Sequence, residues 1–231
     1  MMKRILIVFI AIMCGIGSQD IMAQKKKKGF SGTVKFSIKY EGEIDPQTLA
    51  NLPTEFNYMV YDNNTKLIID AGCFFQYVVS VGDSSQENTI IDHPMQKLVI
   101  KKSKEDFDEE LSVLKYTVVP SEETKVICGY TCKRYDVTVE NIEEGGEQKK
   151  IYYTTEEIGL DERINFDTPG LKGYTLYQED LIGDIKIIYE ATEVKKKKIS
   201  PAEFLMPAGY QVLTYDQYIE AMRANRDGGQ E

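Results

Sequence analysis

Apolar and polar residues alternate with a period of two along much of the chain. The alternation is clear over residues 34–41, 134–140 and 185–192. In the first of these segments, Phe36 and Ile38 are separated by a serine and followed by a lysine. Successive side chains of a β-strand point to opposite faces, so the pattern predicts strands with one face on a core and one in water.

Residues that favour tight turns separate these segments at the distances of β-hairpins. Asparagine, aspartate and glycine tolerate the positive φ that such turns require. The sequence predicts about ten strands, more than a flat sheet accommodates. The predicted fold class is therefore mainly β, either a strongly curved antiparallel sheet or an unclosed β-barrel. The predicted turns lie at Asp62-Asn63-Asn64, Gly82-Asp83, Glu144-Gly145-Gly146 and Gly183-Asp184.

Helix signals are few and short. Asp45-Pro46 predicts one or two turns, and the Ser200-Pro201-Ala202-Glu203 capping box predicts a single turn. Residues 103–114 form either a short helix or an acidic loop. Thr214 caps a C-terminal segment with apolar residues on one side, which predicts an amphipathic helix.

The first residues have the layout of a secretory signal peptide. Lys3 and Arg4 precede an apolar run over residues 5–16, and a small residue, Ala23, stands at the expected cleavage position. We predict cleavage between Ala23 and Gln24. An uncleaved anchor and lipid attachment at Cys14 are the alternatives.

The predicted organisation is a signal peptide (1–23), a basic tail (24–29), a single β-rich domain (30–226) and a disordered tail (227–231). Cleavage removes two cations and one anion, which changes the net charge from −9 to −10. An acidic protein is a poor partner for phosphate backbones, so we expect no nucleic-acid function. No apolar run after Ala23 is long enough to span a membrane as a helix.

Three cysteines remain after cleavage: Cys73, Cys128 and Cys132. A tight bend at residues 129–131 would bring Cys128 and Cys132 together, and an exported protein meets oxidising conditions. We therefore predict a disulfide between them, although Cys73 is an alternative partner. A redox-active pair is the weaker interpretation, because redox motifs have two intervening residues.

The chain carries no recognisable catalytic or metal-binding motif. His93 is the only histidine, and a single histidine does not supply a zinc site. The acidic run at residues 105–110 lacks the spacing of a calcium loop. We predict no catalytic residues, no metal and no cofactor, and we do not expect an enzyme.

Two lysine runs carry clustered positive charge, one over residues 25–28 and one at Lys195, Lys196, Lys197 and Lys198. Solvated charge explains both. The second run also suits peripheral contact with anionic lipid head groups.

Three segments resemble a known protein family: Ile127–Lys133, Gly170–Gly173 and Phe204–Tyr210. They have the order and spacing of a family of secreted Gram-negative envelope proteins that carry a domain of unknown function. This family is similar to the GLPGLI group and, distantly, to the lipoprotein-carrier (LolA/LolB-like) fold. The resemblance implies an unclosed, curved barrel with short helices over its mouth, located in the periplasm or outer envelope. It implies no catalytic residues.

Three functions remain open at this stage. The first is a binding or carrier module for a lipid or other apolar ligand, with Phe36, Tyr40, Tyr58 and Phe75 as candidate contacts. The second is a structural or interaction protein of the envelope with no small ligand. The third is an enzyme that uses carboxylates. An internal cavity of ~300 Å³ or more favours binding, whereas a filled interior favours the structural role.

Overall fold

The computed structural model describes residues 29–70, 75–82, 84–143, 145–160 and 162–227. The predicted signal peptide with Cys14 and Ala23, the basic tail from Gln24 to residue 28, Cys73 and residues 228–231 lie outside the described residues. The predictions made for these segments stay predictions.

The described residues form one twelve-stranded sheet with three α-helices. Two short 3-10 helices lie at Glu162–Asn165 and Pro201–Phe204. The α-helices are α1 (Pro46–Asn51), α2 (Lys104–Ser112) and α3 (Tyr215–Asp227). The strands are β1 (Ser31–Glu41), β2 (Glu55–Tyr61), β3 (Asn64–Asp70), β4 (Phe75–Val81), β5 (Gln86–His93), β6 (Gln96–Lys102), β7 (Leu114–Ile127), β8 (Tyr130–Asn141), β9 (Glu147–Thr155), β10 (Tyr174–Ile182), β11 (Ile185–Lys196) and β12 (Gln211–Thr214).

The strand order is β12-β6-β5-β4-β3-β2-β1-β11-β10-β9-β8-β7. Every neighbouring pair is antiparallel except β12 and β6, which are parallel. The two outer strands, β12 and β7, do not pair with each other, so the sheet is not closed. The structure thus confirms the predicted mainly β, unclosed fold. It has two more strands than the roughly ten predicted.

The alternating pattern of β1 places its apolar residues in the main core. Val34, Phe36 and Ile38 are between 0% and 8% exposed, and the intervening residues are half-buried. In the neighbouring strands, Val60 and Leu176 are fully buried in the same core. Complete burial of such side chains contributes roughly 1.5–3 kcal/mol each to the stability of the fold.

Helix ends follow the capping signals of the sequence. The Ser103 hydroxyl accepts from the Asp106 backbone N–H, and the Asp106 carboxylate accepts from the Ser103 N–H at 2.6 Å. This capping box decides between the two interpretations of residues 103–114 in favour of the helix α2. Thr214 caps α3 by accepting from the Gln217 N–H. Within the described residues, no helix is long and apolar enough to cross a membrane.

The chain after β11 crosses the face of the sheet opposite to the main core. Phe204 and Tyr210 pack there against a second apolar cluster formed by Val79, Ile90 and Val99. Both aromatic residues belong to the third segment that carries the family resemblance. This segment therefore has a packing role over strands β4 to β6.

The predicted bend near the cysteines lies one residue earlier than expected. Ile127 pairs with Tyr130, so Cys128 and Gly129 form the two-residue turn of the β7–β8 hairpin. Their φ angles, 51° and 83°, are both positive, as a type I′ hairpin turn requires. The prediction of a bend at residues 129–131 is wrong, because the chain closes the hairpin with the glycine at the second turn position.

The two cysteines are free thiols in the structure. The Cys128 thiol donates to the Ala191 carbonyl at 3.2 Å, and the Cys132 thiol donates to the Tyr130 carbonyl at 3.6 Å. Burial raises the pKa of both thiols, that of Cys132 to about 11. The disulfide between them stays a prediction, which peptide mapping without reduction tests.

Candidate ligand-binding cavity

A cavity of about 460 Å³ lies on the inner face of the sheet. Six neighbouring strands contribute to its wall, in the spatial order β3-β2-β1-β11-β10-β9. Strands in a sheet lie ~4.8 Å apart, so six of them would span ~24 Å if the sheet were flat. Side chains from all six strands line one cavity because the sheet curves around it.

The wall of the cavity is mainly aromatic and aliphatic. Four rings from β1, β2 and β11 form a connected cluster with centroid distances of 5.0–5.9 Å: Phe36, Phe56, Tyr58 and Tyr189. The adjacent strand β3 adds Leu67 and Ile69 to the wall, with Leu67 paired to Tyr58. A concave, mainly apolar wall of this volume is typical of small-molecule sites.

The connection between β9 and β10 covers the remaining side of the cavity. Ile164, Asn165, Asp167, Thr168 and Leu171 from this connection line the cavity. Hydrogen bonds within the connection stabilise its conformation. The Asn165 side-chain amide donates to the Leu171 carbonyl at 3.2 Å and to the Gly173 carbonyl at 2.8 Å. Leu171, 2% exposed, packs into a separate apolar cluster on β8 and β9.

The second segment of the family resemblance, Gly170–Gly173, forms the end of this connection. Gly173 has a φ of +80°, and a Cβ at this position would lie 2.9 Å from the carbonyl carbon and oxygen of Thr155. Only glycine fits this close approach without displacing backbone. The Thr154 hydroxyl donates to the Lys172 carbonyl at 2.5 Å, which holds the segment on β9.

Polar groups of the cavity are concentrated where this connection meets the sheet. Asp167 lines the cavity, and desolvation of its carboxyl by the surrounding protein raises its pKa. Thr168 donates a hydrogen bond to it at 3.4 Å. Gln178 lines the same cavity and donates to both carboxylate oxygens of Asp180 at 2.9 Å.

Burial dominates the titration of the neighbouring groups as well. It raises the pKa of Tyr58 and Tyr174, and it raises the pKa of Tyr189 to about 12. It also raises the pKa of Glu87, whose carboxylate accepts from the Ser80 hydroxyl at 3.2 Å. Glu87 does not line the cavity, so the cavity wall does not present Asp167 and Glu87 as a pair for acid–base chemistry.

Three of the four predicted contact residues line the cavity: Phe36, Tyr40 and Tyr58. Phe75 begins β4, and its side chain lies outside the described residues. The sequence interpretation missed Phe56 and Tyr189. The alternating pattern could have identified both residues. Phe56 precedes Tyr58 by two positions, so the two side chains share a face of the strand, and Tyr189 belongs to the alternating segment of β11.

Neither the single histidine nor the acidic residues form a metal site in the described part of the chain. His93 is the last residue of β5, and its Nδ1 accepts from the N–H of Met95 in the β5–β6 turn at 3.1 Å. The four lysines from Lys195 to Lys198 are exposed at and after the end of β11, and Lys195 forms an ion pair with Glu193 at 2.8 Å. Their contact with a membrane stays a prediction.

No family model matches the sequence, and no curated protein matches it. Solved structures that match include the lipoprotein LppX of Mycobacterium tuberculosis, at 12% identity and a TM-score of 0.36, covering 76% of this chain and 91% of LppX. LprF from Mycobacterium bovis matches at 9% identity and a TM-score of 0.34, covering 78% of this chain and 90% of LprF. A DUF1329 family protein from Desulfovibrio piger matches at 11% identity and a TM-score of 0.36, covering 78% of this chain and 91% of that protein. The comparisons do not confirm the resemblance to the GLPGLI group.

Proposed function

We propose that this protein binds an apolar or amphiphilic small molecule, of the lipid class, in the cavity of its curved sheet. The observation that carries the proposal is the cavity of about 460 Å³ with its aromatic and aliphatic wall. Phe36, Tyr40 and Tyr58 would contact the ligand. The signal-peptide pattern supports an exported location, where such a protein would act as a binding or carrier module.

The alternative of a structural protein without a ligand predicts a filled interior. The cavity argues against this alternative, because side chains that line an empty apolar volume lack the van der Waals contacts that they would make in a close-packed structural core. A protein that has to admit a ligand keeps such volume for function.

Native mass spectrometry of the protein purified from its own envelope tests the proposal directly. We expect a co-purified mass that is lost on delipidation. A fluorescent apolar probe, displaced by alkyl ligands, provides the quantitative assay.

Two tryptophan variants locate the binding site. Leu67→Trp places a large ring in the cavity and should abolish probe binding. Val126→Trp adds the same ring at a position on β7 that is 70% exposed and outside the cavity, and it should leave binding unchanged. Equal probe binding by both variants would contradict a ligand site in this cavity.

A further inference from the structure

One tyrosine hydroxyl on the cavity wall is available to a ligand. Tyr174 lines the cavity and is only 6% exposed. Its hydroxyl forms no hydrogen bond with any residue that the structure describes, and neither does that of the nearby Tyr58. The Tyr174 hydroxyl oxygen is not sealed off by the protein, so it can hydrogen-bond to a polar group of a ligand that enters the cavity.

The charges around Asp167 leave this region negative. Two lysines act on it, but Lys102 pairs with Glu110, and Lys150 pairs with Asp180 at 3.6 Å. Lys102 also lies over the rings of Phe107 and Tyr215, at 4.1 and 4.9 Å. The four carboxylates Asp167, Glu87, Glu110 and Asp180 therefore face two ammonium groups. Among the described residues, Asp167 and Glu87 have no ion-pair partner.

The aromatic cluster adds a second attraction for positive charge. The faces of aromatic rings carry negative electrostatic potential and bind ammonium groups. Phe56 lies within 5.9 Å of three other rings in the cluster, measured between centroids. A carboxylate beside a set of rings is the combination that recognises an organic cation in a site with little water.

We propose that the ligand of this cavity is an amphiphile whose polar end is an ammonium group, held at Asp167, with its alkyl part on the apolar wall. This inference rests on the proposed function and specifies its ligand class. An anionic head group, carboxylate or phosphate, would meet the repulsion of Asp167 and Glu87, and no lysine that acts on Asp167 among the described residues is free of an ion pair to offset it.

Three probes of equal chain length separate the head groups: dodecylammonium, dodecanol and dodecanoate. Each is titrated against the full-length exported protein, delipidated, at pH 7 and physiological salt, below its micelle concentration. We expect dodecylammonium to bind at least about tenfold more tightly than dodecanol, because a charge-assisted hydrogen bond replaces a neutral one. Dodecanoate should bind most weakly.

Asp167→Asn should bring the affinities for dodecylammonium and dodecanol to within about twofold of each other, since it removes the charge and keeps the size. Asp216→Asn is the matched control, because it removes the same charge from an exposed position on α3 outside the cavity. It should preserve the tenfold preference. The control separates a local contact from the general attraction of a cation to an acidic protein.

The outcomes distinguish this inference from the proposed function. Binding of dodecanol without a preference for dodecylammonium would overturn the ammonium inference and leave the apolar site standing. Absence of binding by all three probes would overturn both. If Asp167→Asn fails to fold, as judged by circular dichroism, the order of the three affinities in the unaltered protein decides alone.

Discussion

A series of straight-chain alcohols of increasing length tests the cavity most directly. Each methylene buried in an apolar site contributes ~0.8 kcal/mol, and 1.4 kcal/mol corresponds to a tenfold change in affinity. Each added methylene should therefore tighten binding about fourfold. From hexanol to decanol, four methylenes give ~3 kcal/mol, or about 200-fold.

The structure also predicts where this gain stops. The cavity holds about 460 Å³, so the affinity should reach a plateau once the chain fills the apolar wall and further carbons remain in water. Isothermal titration calorimetry gives the affinities and a negative heat-capacity change, the marker of apolar burial. In Leu67→Trp the series should lose most of its slope, because the ring occupies the volume.

Two results would refute this reasoning. An affinity independent of chain length would mean that the alkyl part does not enter the cavity. A steady increase without a plateau, equal in Leu67→Trp and in Val126→Trp, would mean adhesion to the outer surface.

Three further predictions concern stability, each measured by urea unfolding. Leu176→Ala should lower the free energy of unfolding by about 2–5 kcal/mol, because Leu176 is fully buried, whereas Leu205→Ala, at a position 70% exposed, should change it by less than about 0.5 kcal/mol. Gly173→Ala should destabilise more than Gly145→Ala, because both glycines have positive φ but only Gly173 lies against backbone; equal losses would contradict the clash. Asp167→Asn should stabilise the protein at pH 7 and have a smaller effect at pH 3. The raised pKa of Asp167 means that the folded state holds the proton more tightly, so ionisation lowers stability as the pH rises from the unfolded pKa through the folded one; a loss of stability at pH 7 would contradict this.

Local patterns were sufficient to predict most of the strands and the beginning of the C-terminal helix. The alternation around Phe36 and Ile38 placed these residues on the inner face, and the structure buries both. The cap predicted at Thr214 also acts locally, because its side chain accepts from the Gln217 backbone N–H only three residues away. Such features depend on a few neighbouring residues, so they can be identified without knowledge of the tertiary structure.

Local sequence patterns did not predict other features of the fold. Strand β12 has only four residues and pairs in parallel with β6, which lies more than a hundred positions earlier. The prediction of about ten strands did not include it. A strand this short has too few residues to show alternation, and a parallel partner gives no hairpin signal.

By itself, the sequence determined the mainly β character of this protein, the buried side of β1 and β8, and the cap of α3 at Thr214. These follow from the period of the side chains and from contacts within one turn. Only the tertiary structure decided that six strands share one cavity and that the β9–β10 connection covers it. It also decided that Asp167, Tyr58 and Tyr174 line the same cavity. The reason is that curvature and strand order join residues far apart in the chain, and the chemistry of the cavity belongs to that arrangement rather than to any one segment.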